Sequence, residues 1–502
     1  RNQGGTVTNN DEIFINAVGT NGILNSPQGG AVTPSTFINT GQITIGNIGS
    51  GGDNGIFNSG SNLLGAIFTN STGMITINGV NNAGIRNSAL NGPTTFTNSA
   101  SIVVSANNTA SGFNNEGIIN EDSGSFTNTG TIALENAERA LVNRMNANFT
   151  NENNGSITIN PSGPNDVVNG IVNILGGVFT NQTGADIRMI NISNIGLSNG
   201  TIASAGTFLN TGLGTTISID NTSNFAIQNL SDGLVPNDGF YNENAAVVTI
   251  CSGGTGIGVS AIYNGTNAYF QNGSSSGGAG ATLNVVSAGS HGILNDGEFL
   301  NTSFSGVAPF LLTDISNINI GITSGACAGS IPDDGIRNNN TFTNTEDSRI
   351  TISNFSDFGI FNFGTFNNTN LSNTDINFRN EIHITGTGGI SGIYNRGVAA
   401  TFTNSDNESF IKVDGTMFYG ILNDVSGTFN NHLIGRIEIS AGSIIIGFYQ
   451  YNGAVLDQNG DSSIDIDLAG TANSIGFLND FNSSVSNQGS SILNITGTTS
   501  FG

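Results

Sequence analysis

The sequence is short of charge, and the charge that it carries is mostly acidic. Only 9 % of its 502 residues are Asp, Glu, Lys or Arg, against about a quarter in an average globular protein. Lys412 is the only lysine, and the formal net charge is −24. Such a chain repels phosphate groups and has few basic side chains to displace the counterions of DNA or RNA. The sequence therefore predicts no nucleic-acid partner.

Tryptophan is absent and cysteine is rare. The two cysteines, Cys251 and Cys327, have neither the spacing of a metal site nor the context of a thiol nucleophile. They leave open one disulfide in an oxidising compartment or two buried thiols. No apolar run approaches the ~20 residues that a membrane span needs, so we expect no membrane insertion. Gly and Pro make up about 16 % of the chain, below the roughly 25–30 % that indicates unpatterned disorder.

A phenylalanine signature recurs along nearly the whole chain. The tripeptide Phe-x-Asn occurs in 14 copies that form a series with a mean spacing of about 30 residues, and in four further copies, at Phe14, Phe113, Phe378 and Phe477, that fall out of phase. A regular spacing of this size indicates a repeat architecture and argues against several unrelated globular domains. The copies of the series begin at Phe37, Phe68, Phe96, Phe126, Phe149, Phe179, Phe208, Phe240, Phe270, Phe299, Phe342, Phe366, Phe402 and Phe429.

Two further signatures accompany most copies. Gly-(Ile/Leu/Phe)-x-Asn precedes the phenylalanine by about a dozen residues, as at Gly55 and Gly84, and an apolar-x-apolar triplet such as Ile75-Thr76-Ile77 follows it. Alternating β-branched and aromatic residues are typical of strands, and the intervening Gly, Asn and Ser clusters are typical of turns. No segment has the apolar spacing of a helix. The sequence predicts an all-β fold with three short strands per repeat.

Strands this short cannot form a sheet within one repeat, but each can pair with its equivalent one turn away, at about 4.8 Å. The sequence therefore predicts a single parallel β-helix, or β-solenoid, over residues 1–502, with 16–17 turns of about 29 residues. Longer steps between copies predict loop insertions near residues 306–331 and 369–378.

Equivalent side chains of successive turns would stack as ladders. Phe would stack on Phe in the core, and Asn on Asn at a corner, because Asn both tolerates turn conformations and satisfies backbone polar groups. The predicted ladder residues are Phe37, Asn39, Phe68, Asn70, Phe96, Asn98, Phe126, Asn128, Phe149, Asn151, Phe179, Asn181, Phe208, Asn210, Phe402 and Asn404.

These repeats and this composition resemble bacterial extracellular β-helix proteins of the filamentous-haemagglutinin and autotransporter-passenger kind. The resemblance covers almost the whole chain but rests on architecture, so it transfers no functional residue. It implies a right-handed coil, which is also the usual hand of parallel crossovers, and a role outside the cell in adhesion or surface structure. The sequence begins at Arg1, and we expect any secretion signal to have been removed already.

One column of ionisable residues can be constructed on the outer face. It contains His383, Lys412, Glu438 and Asp465, which would lie about 5 Å apart on neighbouring turns. Two carboxylates at such a separation are within the range that glycosidases use. Exposed cations beside anions are also ordinary on repeat surfaces, where each pair contributes ~0–1 kcal/mol. We favour the structural interpretation and predict that the protein is not an enzyme.

Two other patterns suggest ligands. Asp457, Asn459 and Asp461 alternate as the oxygen ligands of a calcium loop do, but the Gly and Glu that complete such a loop are missing. Calcium is therefore only a weak candidate, and we expect no other cofactor. Outward threonines on five successive turns resemble the face of ice-binding solenoids, although the high strand propensity of Thr is the simpler explanation. They are Thr69, Thr97, Thr127, Thr150 and Thr180.

The repeat pattern continues to both ends of the sequence, and no capping helix is evident. Because an open coil exposes core residues and strand edges, we expect copies to associate head to tail into a fibre at the cell surface. One alternative is a monomeric adhesin rod that binds a surface glycan or protein receptor through the insertion at 306–331. Another is a polysaccharide-degrading or ice-binding solenoid. The predicted assembly residues are Val7, Ile13, Ile15, Val485, Leu493 and Ile495.

Overall fold

A computed structural model shows a parallel β-solenoid in two compact units, Arg1–Tyr241 and Asn242–Gly502. The described residues contain 48 strands and no helix. The structure describes residues 1–16, 20–28, 31, 33–46, 54–61, 63–80, 82–106, 115–159, 167–230, 238–251, 259–274, 279–303, 315–322, 330–370, 380–406, 409–440, 443–469 and 474–497.

Three kinds of strand alternate in the first unit. We call them Phe strands, Ile strands and Gly strands after the three signatures. The Phe strands are β1 (Gly5–Asn9), β4 (Ser35–Asn39), β7 (Ala66–Asn70), β10 (Thr94–Asn98), β13 (Ser125–Asn128), β16 (Asn148–Asn151), β19 (Gly177–Gln182) and β22 (Gly206–Thr211). The Ile strands are β2 (Glu12–Ile15), β5 (Gln42–Ile45), β8 (Met74–Val80), β11 (Ser101–Ala106), β14 (Thr131–Glu135), β17 (Ser156–Ile159), β20 (Asp186–Ile192) and β23 (Thr216–Thr222). The Gly strands are β3 (Asn21–Asn25), β6 (Asn54–Ser59), β9 (Ala83–Ser88), β12 (Glu116–Glu121), β15 (Arg139–Arg144), β18 (Asn169–Ile174), β21 (Ile195–Asn199) and β24 (Phe225–Asn229).

The second unit repeats this order after the Phe strand β25 (Gly239–Glu243). Its Phe strands are β28 (Tyr269–Asn272), β31 (Glu298–Thr302), β34 (Thr341–Thr345), β37 (Thr365–Asn370), β39 (Thr401–Asp406), β41 (Thr428–Asn431), β44 (Val455–Gln458) and β47 (Ser484–Asn487). Its Ile strands are β26 (Val247–Cys251), β29 (Thr282–Val285), β32 (Ser316–Ile320), β35 (Ser348–Ser353), β42 (Arg436–Ser440), β45 (Ser463–Asp467) and β48 (Ile492–Thr496). Its Gly strands are β27 (Ser260–Asn264), β30 (His291–Asn295), β33 (Ile336–Asn338), β36 (Phe358–Asn362), β43 (Ile446–Gln450) and β46 (Ile475–Asn479). Two long strands, β38 (Glu381–Arg396) and β40 (Phe410–Asp424), each join an Ile strand to the following Gly strand.

Within each unit, strands pair in parallel with their equivalents one turn along the chain. In the first unit Val7 pairs with Phe37, and Thr97 pairs with Thr127, each 30 residues away. The predicted all-β fold with parallel strands of a solenoid is therefore confirmed. Its right-handed sense stays a prediction.

The phenylalanines form a continuous core ladder within each unit. Phe68, Phe96 and Phe126 are fully buried, and their ring centroids lie 4.7 and 4.6 Å apart with nearly parallel planes. In the second unit Phe366 and Phe402 stack in the same way at 4.8 Å. The two apolar residues of the Ile strands close the core from the other side, since they point inward in alternation with an outward residue, as Ile75 and Ile77 do on either side of Thr76.

Asparagines form a ladder at the end of the Phe strands and a second one at the end of the Gly strands. The Nδ2 group of Asn39 donates to Oδ1 of Asn70 at 2.8 Å and to the carbonyl of Gly41 at 3.1 Å. In the Gly strands, Nδ2 of Asn25 donates to Oδ1 of Asn58 at 2.8 Å. Each buried amide thus links two turns and also satisfies a corner carbonyl, so its burial costs little.

Glycine is required where the Gly strands pass close to the core. A Cβ atom on Gly55 would lie 2.6 Å from the carbonyl oxygen of Gly84 and 2.7 Å from a side-chain carbon of Ile77. Such contacts are far shorter than van der Waals distances. The recurring glycine of the signature therefore allows neighbouring turns to approach each other closely.

The insertion predicted at 306–331 is wrong as a single loop. Within it, β32 is a core strand that pairs with β29 and β35. The triplet Ile318-Asn319-Ile320 has the signature of an Ile strand. The spacing between phenylalanines alone does not show this strand, because the extra residues are divided between its two sides. Residues 304–314 and 323–329 lie outside the described residues, as do residues 371–378 of the second predicted insertion, while Thr369 belongs to β37.

Candidate functional site

The predicted charged column exists on the outer face of the second unit. It crosses β38, β40, β42 and β45, in which His383 pairs with Lys412, Lys412 with Glu438, and Glu438 with Asp465. The four side chains are each about one-third exposed. The alternation of inward and outward residues was therefore sufficient to predict this column.

Asp414 lies two residues after Lys412 and joins the column from the side. Its Oδ2 atom is 3.2 Å from Nε2 of His383 and 3.2 Å from Nζ of Lys412. Burial alone would raise the pKa of Asp414, but hydrogen bonds from His383, Thr385 and Lys412 outweigh this effect and lower the pKa. The pKa shift therefore favours the ionised carboxylate, which contacts the Lys412 ammonium and the His383 ring.

Arg436 lies beside both carboxylates in the other half of the column. Its guanidinium lies 3.4 Å from Glu438 and 3.8 Å from Asp465, and it also stacks over the ring of Phe410. A glycosidase needs one protonated and one free carboxyl group. Both carboxylates of this column instead share one arginine, an arrangement typical of a surface ion-pair network worth ~0–1 kcal/mol per pair.

Sequence reasoning missed Asp414 and Arg436 because it followed only one outward position of each strand. The period of two also places residues two positions away on the same face. Arg349 and Glu381, whose side chains lie 2.8 Å apart, form a further ion pair of this kind on β35 and β38. The alternation in the sequence was therefore sufficient to place Asp414 and Arg436 on the face of the column.

The weak calcium candidate is divided between a strand and a turn. Asp457 lies in β44, where its Oδ2 atom is 3.1 Å from Nε2 of His432. Asn459 and the exposed Asp461 follow in the turn. Across the described residues, no three His, Cys, Asp or Glu side chains form a group that could hold a metal ion. Calcium binding by these residues stays a prediction.

The threonine column is also in register. Thr69, Thr97, Thr127, Thr150 and Thr180 pair in sequence across β7, β10, β13, β16 and β19, and all five side chains are partly exposed. Ile38 and Leu209 continue the column at its two ends. Ice binding by this face stays a prediction.

A second cluster of ionisable residues, which sequence reasoning missed, is largely buried near the start of β30, β33 and β36. Nε2 of His291 lies 3.4 Å from Oδ2 of Asp334. Oγ of Ser290 lies 2.9 Å from Nδ1 of His291 and donates a hydrogen bond to Asp333. Arg337 lies 4.0 Å from Asp334. The sequence does indicate this cluster, because His291 and Asp334 each lie directly before the signature glycine of successive Gly strands.

Burial perturbs both central groups of this cluster. It raises the pKa of Asp334 to about 7, with Arg337 opposing and Asp333 and Asp357 supporting the rise. Burial and the charge of Arg337 lower the pKa of His291. Burial therefore favours the uncharged form of both groups.

The cluster contains the residue types of a serine hydrolase, but not the geometry. Ser260 Oγ lies 3.4 Å from Nδ1 of His291, yet Ser260 is completely buried. Ser290 is closer, but its hydroxyl proton is directed to Asp333. A nucleophile must donate that proton to the imidazole. The described geometry therefore provides no activated serine.

The first unit has buried carboxylates that are paired with arginines. Glu121 accepts hydrogen bonds from Arg86 at 2.6 Å and from Arg144 at 2.7 Å. Glu116 pairs with Arg139 in the same strands. Burial raises the pKa of Glu116, and Arg139 partly offsets this rise. These pairs hold β9, β12 and β15 together.

Cys251, at the end of β26, is buried and disulfide-bonded. The only other cysteine of the sequence, Cys327, lies outside the described residues. Of the two alternatives that the sequence left open, the structure has the disulfide.

No protein-family model, curated protein or solved structure matches this chain. The described residues include no helix that could span a membrane. The fold therefore defines the class, an all-β parallel solenoid, and any function has to be argued from the chain's own surfaces.

Proposed function

We propose that this chain is a secreted or cell-surface structural protein whose copies join head to tail through their terminal coils. The observation that carries the proposal is the solvent exposure of the core positions in those coils. The same ladder positions are buried in the next coil inward and exposed at the end.

The exposure is measurable at both ends. Val485 in β47 is 40 % exposed, whereas its register partner Leu456 is fully buried. Ile495 in β48 is 40 % exposed, whereas its partner Ile466 is 1 % exposed. Val7 in β1 is 39 % exposed. The other predicted assembly residues, which are partly exposed, are Ile13, Ile15 and Leu493.

Another coil is the partner that fits such a surface. Docked in register, it would cover the apolar side chains and pair the free backbone groups of the edge strands, as every interior coil does. The surfaces at the two ends differ, so the contact is heterologous and propagates as a fibre. The proposed partner is a second copy of the same chain.

Three features support a location outside the cell. The surface is solvated mainly by uncharged polar residues, the chain has one lysine, and Cys251 is disulfide-bonded. Disulfides persist mainly in oxidising compartments. The proposed role requires no enzymatic activity, in accord with the ion-paired state of Glu438 and Asp465.

Electron microscopy of the purified chain tests the assembly. We expect fibres from the wild type and a loss of fibres in Val485→Asp, because a carboxylate would be buried at the joint. The control is Thr343→Asp, at a partly exposed outward position of the interior strand β34, which should leave the fibres intact. A wild type that stays monomeric at high concentration, or equal loss in both variants, would refute the proposal.

The location is tested separately by treating intact source cells with a protease. We expect the chain to be cleaved while a cytoplasmic marker protein stays whole. Protection of the chain until the cells are lysed would contradict a surface role without affecting the assembly result.

A further inference from the structure

One face of the second unit is apolar although the face beside it is charged. On β40, β42 and β45 the outward positions of the Ile strands carry Lys412, Glu438 and Asp465. On the Gly-strand face of the same turns, the outward residues are mostly aromatic or aliphatic. A sheet face that borders water normally presents polar side chains. An exposed apolar face of this kind indicates a contact with another molecule.

We call this surface the aromatic face. It covers the Gly-strand parts of β38, β40, β43 and β46 and the residues directly before and after them. All its apolar residues except the buried Tyr394 are at least partly exposed. They form three columns, of which the first is Ile390, Phe418 and Ile445, the second is Tyr419, Ile446 and Ile475, and the third is Tyr394, Leu422, Tyr449 and Leu478.

Aromatic side chains contact one another along this face. The ring centroids of Tyr419 and Tyr449 lie 5.7 Å apart, and those of Tyr449 and Tyr451 lie 5.6 Å apart. Tyr451 in turn contacts Phe481 at 5.1 Å. Phe418 and Phe481 are 56 % and 62 % exposed. Tyr and Phe are enriched at protein interfaces, where they bury a large area. The aromatic face therefore has the composition of an interface.

The charged residues of the aromatic face lie along one edge, in a fourth column. Its members directly follow the amide residue that ends each Gly strand, and they are Arg396, Asp424, Tyr451 and Asp480 in successive turns. Asp424 is buried and accepts a hydrogen bond from Tyr394 at 2.9 Å. Arg396 and Asp480 are exposed, and neither forms an ion pair within the described residues. The edge therefore begins with a positive charge and ends with a negative one.

We infer that the aromatic face binds the same face of a second copy, with the stacked turns of the two copies antiparallel. A two-fold axis that lies between the faces, parallel to the strands and midway between β40 and β43, reverses the order of the turns and keeps each position along the strand. Arg396 of each copy then lies opposite Asp480 of the other copy. In the same way Leu422 lies opposite Tyr449. The arrangement joins apolar to apolar and positive to negative residues.

Other arrangements of this face do not match its charges. A two-fold axis parallel to the stacking direction would place the charged edge against the apolar column of Ile390. Arg396 and Asp480 would then lose water without gaining a partner, which costs free energy. An anionic membrane does not fit either, because the two exposed charges of the face cancel and the chain has a net charge of −24.

The size of the face sets the strength of the contact. It spans about 20 Å along the strands and about 15 Å across its four turns, because residues rise about 3.3 Å along a strand and strands lie about 4.8 Å apart. This is below the roughly 800 Å² per partner of a standard interface. We therefore expect a weak dimer, populated at high protein concentration. The contact is lateral and closed, so it does not depend on the proposed end-to-end joint.

Charge exchange at the two ends of the edge tests this arrangement. Every chain carries Val7→Asp, which blocks the proposed end-to-end joint and lies in the first unit. In sedimentation at increasing concentration we expect this parent to form dimers. Arg396→Asp and Asp480→Arg should each raise the dissociation constant by at least about tenfold, because each turns both attractive pairs into repulsive ones.

An equimolar mixture of these two variants should dimerise to within about threefold of the parent, since one copy is then acidic at both ends of the edge and the other is basic at both. The control Glu298→Arg, at an exposed position of β31, should dimerise as the parent does. A parent that stays monomeric would overturn the inference and leave the face to a partner of other chemistry. Unchanged dimers in both single variants, or a mixture that does not restore dimers, would also overturn it.

Discussion

The side-chain amide of Asn98 donates to the amide oxygen of Asn128 at 2.7 Å, although the two residues are 30 positions apart in the sequence. Asn128 in turn donates to Asn151 at 2.7 Å and to the carbonyl of Gly130 at 3.2 Å. All three asparagines are fully buried. One side chain therefore joins three consecutive turns.

Replacement of this side chain should weaken the stack locally. Asn128→Leu removes the donor to Oδ1 of Asn151 and leaves the Asn98 amide with only its backbone acceptors, the carbonyls of Ala100 and Thr131. We expect a cost of about 1–3 kcal/mol from the buried unsatisfied oxygen of Asn151. Asn148→Ala, at an exposed position of β16, should change stability by less than about 0.5 kcal/mol. Hydrogen exchange of β13 and β16 measures both effects, and equal protection in the two variants would contradict the ladder.

Two alanine substitutions distinguish a glycine that allows neighbouring turns to approach closely from a glycine that does not. Gly55→Ala places a Cβ atom against the next turn, and we expect a lowered melting temperature and a cost of about 1–3 kcal/mol from overpacking. At Gly46 the nearest atom to an added Cβ would be 3.9 Å away, so Gly46→Ala should be tolerated. Similar melting temperatures for these variants would show that the coils are not so closely packed.

The interaction of Asp414 with His383 and Lys412 predicts that stability depends on pH in the acidic range. Because the folded-state pKa of Asp414 is lowered, its stabilising effect is present above the ordinary pKa of about 3.9 and is lost as the pH falls through the folded value. We expect Asp414→Asn to cost less than about 1 kcal/mol at neutral pH, since the site is partly exposed. Thermal unfolding at neutral and at strongly acidic pH should show the difference only at neutral pH; a difference that persists in acid would require another cause.

The disulfide of Cys251 should make the purified chain resistant to alkylation. With only two cysteines in the sequence, we expect the unfolded, unreduced chain to accept no alkyl group and the reduced chain to accept two. Reduction should also lower the melting temperature, because a disulfide typically contributes about 2–4 kcal/mol. Two alkylated thiols before reduction would show that the cysteines are free.

The sequence was most informative where a residue is repeated at the same position in every turn. The positions of Phe96 and Asn98 could be predicted because the same pair recurs about every 30 residues, and the register of Lys412 with Glu438 followed from it. The contact of His291 with Asp334 could be predicted in the same way, because each residue directly precedes a signature glycine, Gly292 and Gly335, although 43 residues separate them. Its perturbed pKa values could not be predicted, because they depend on burial, which a repeat pattern alone does not give.

A crystal structure of the first unit's coils within the full chain tests the central claim most directly. The account predicts that the rings of Phe96 and Phe126 stack with centroids 4.6 Å apart and planes within about 10° of parallel, on strands that run in the same direction. Electron density that placed these two rings apart, or on antiparallel strands, would contradict the account.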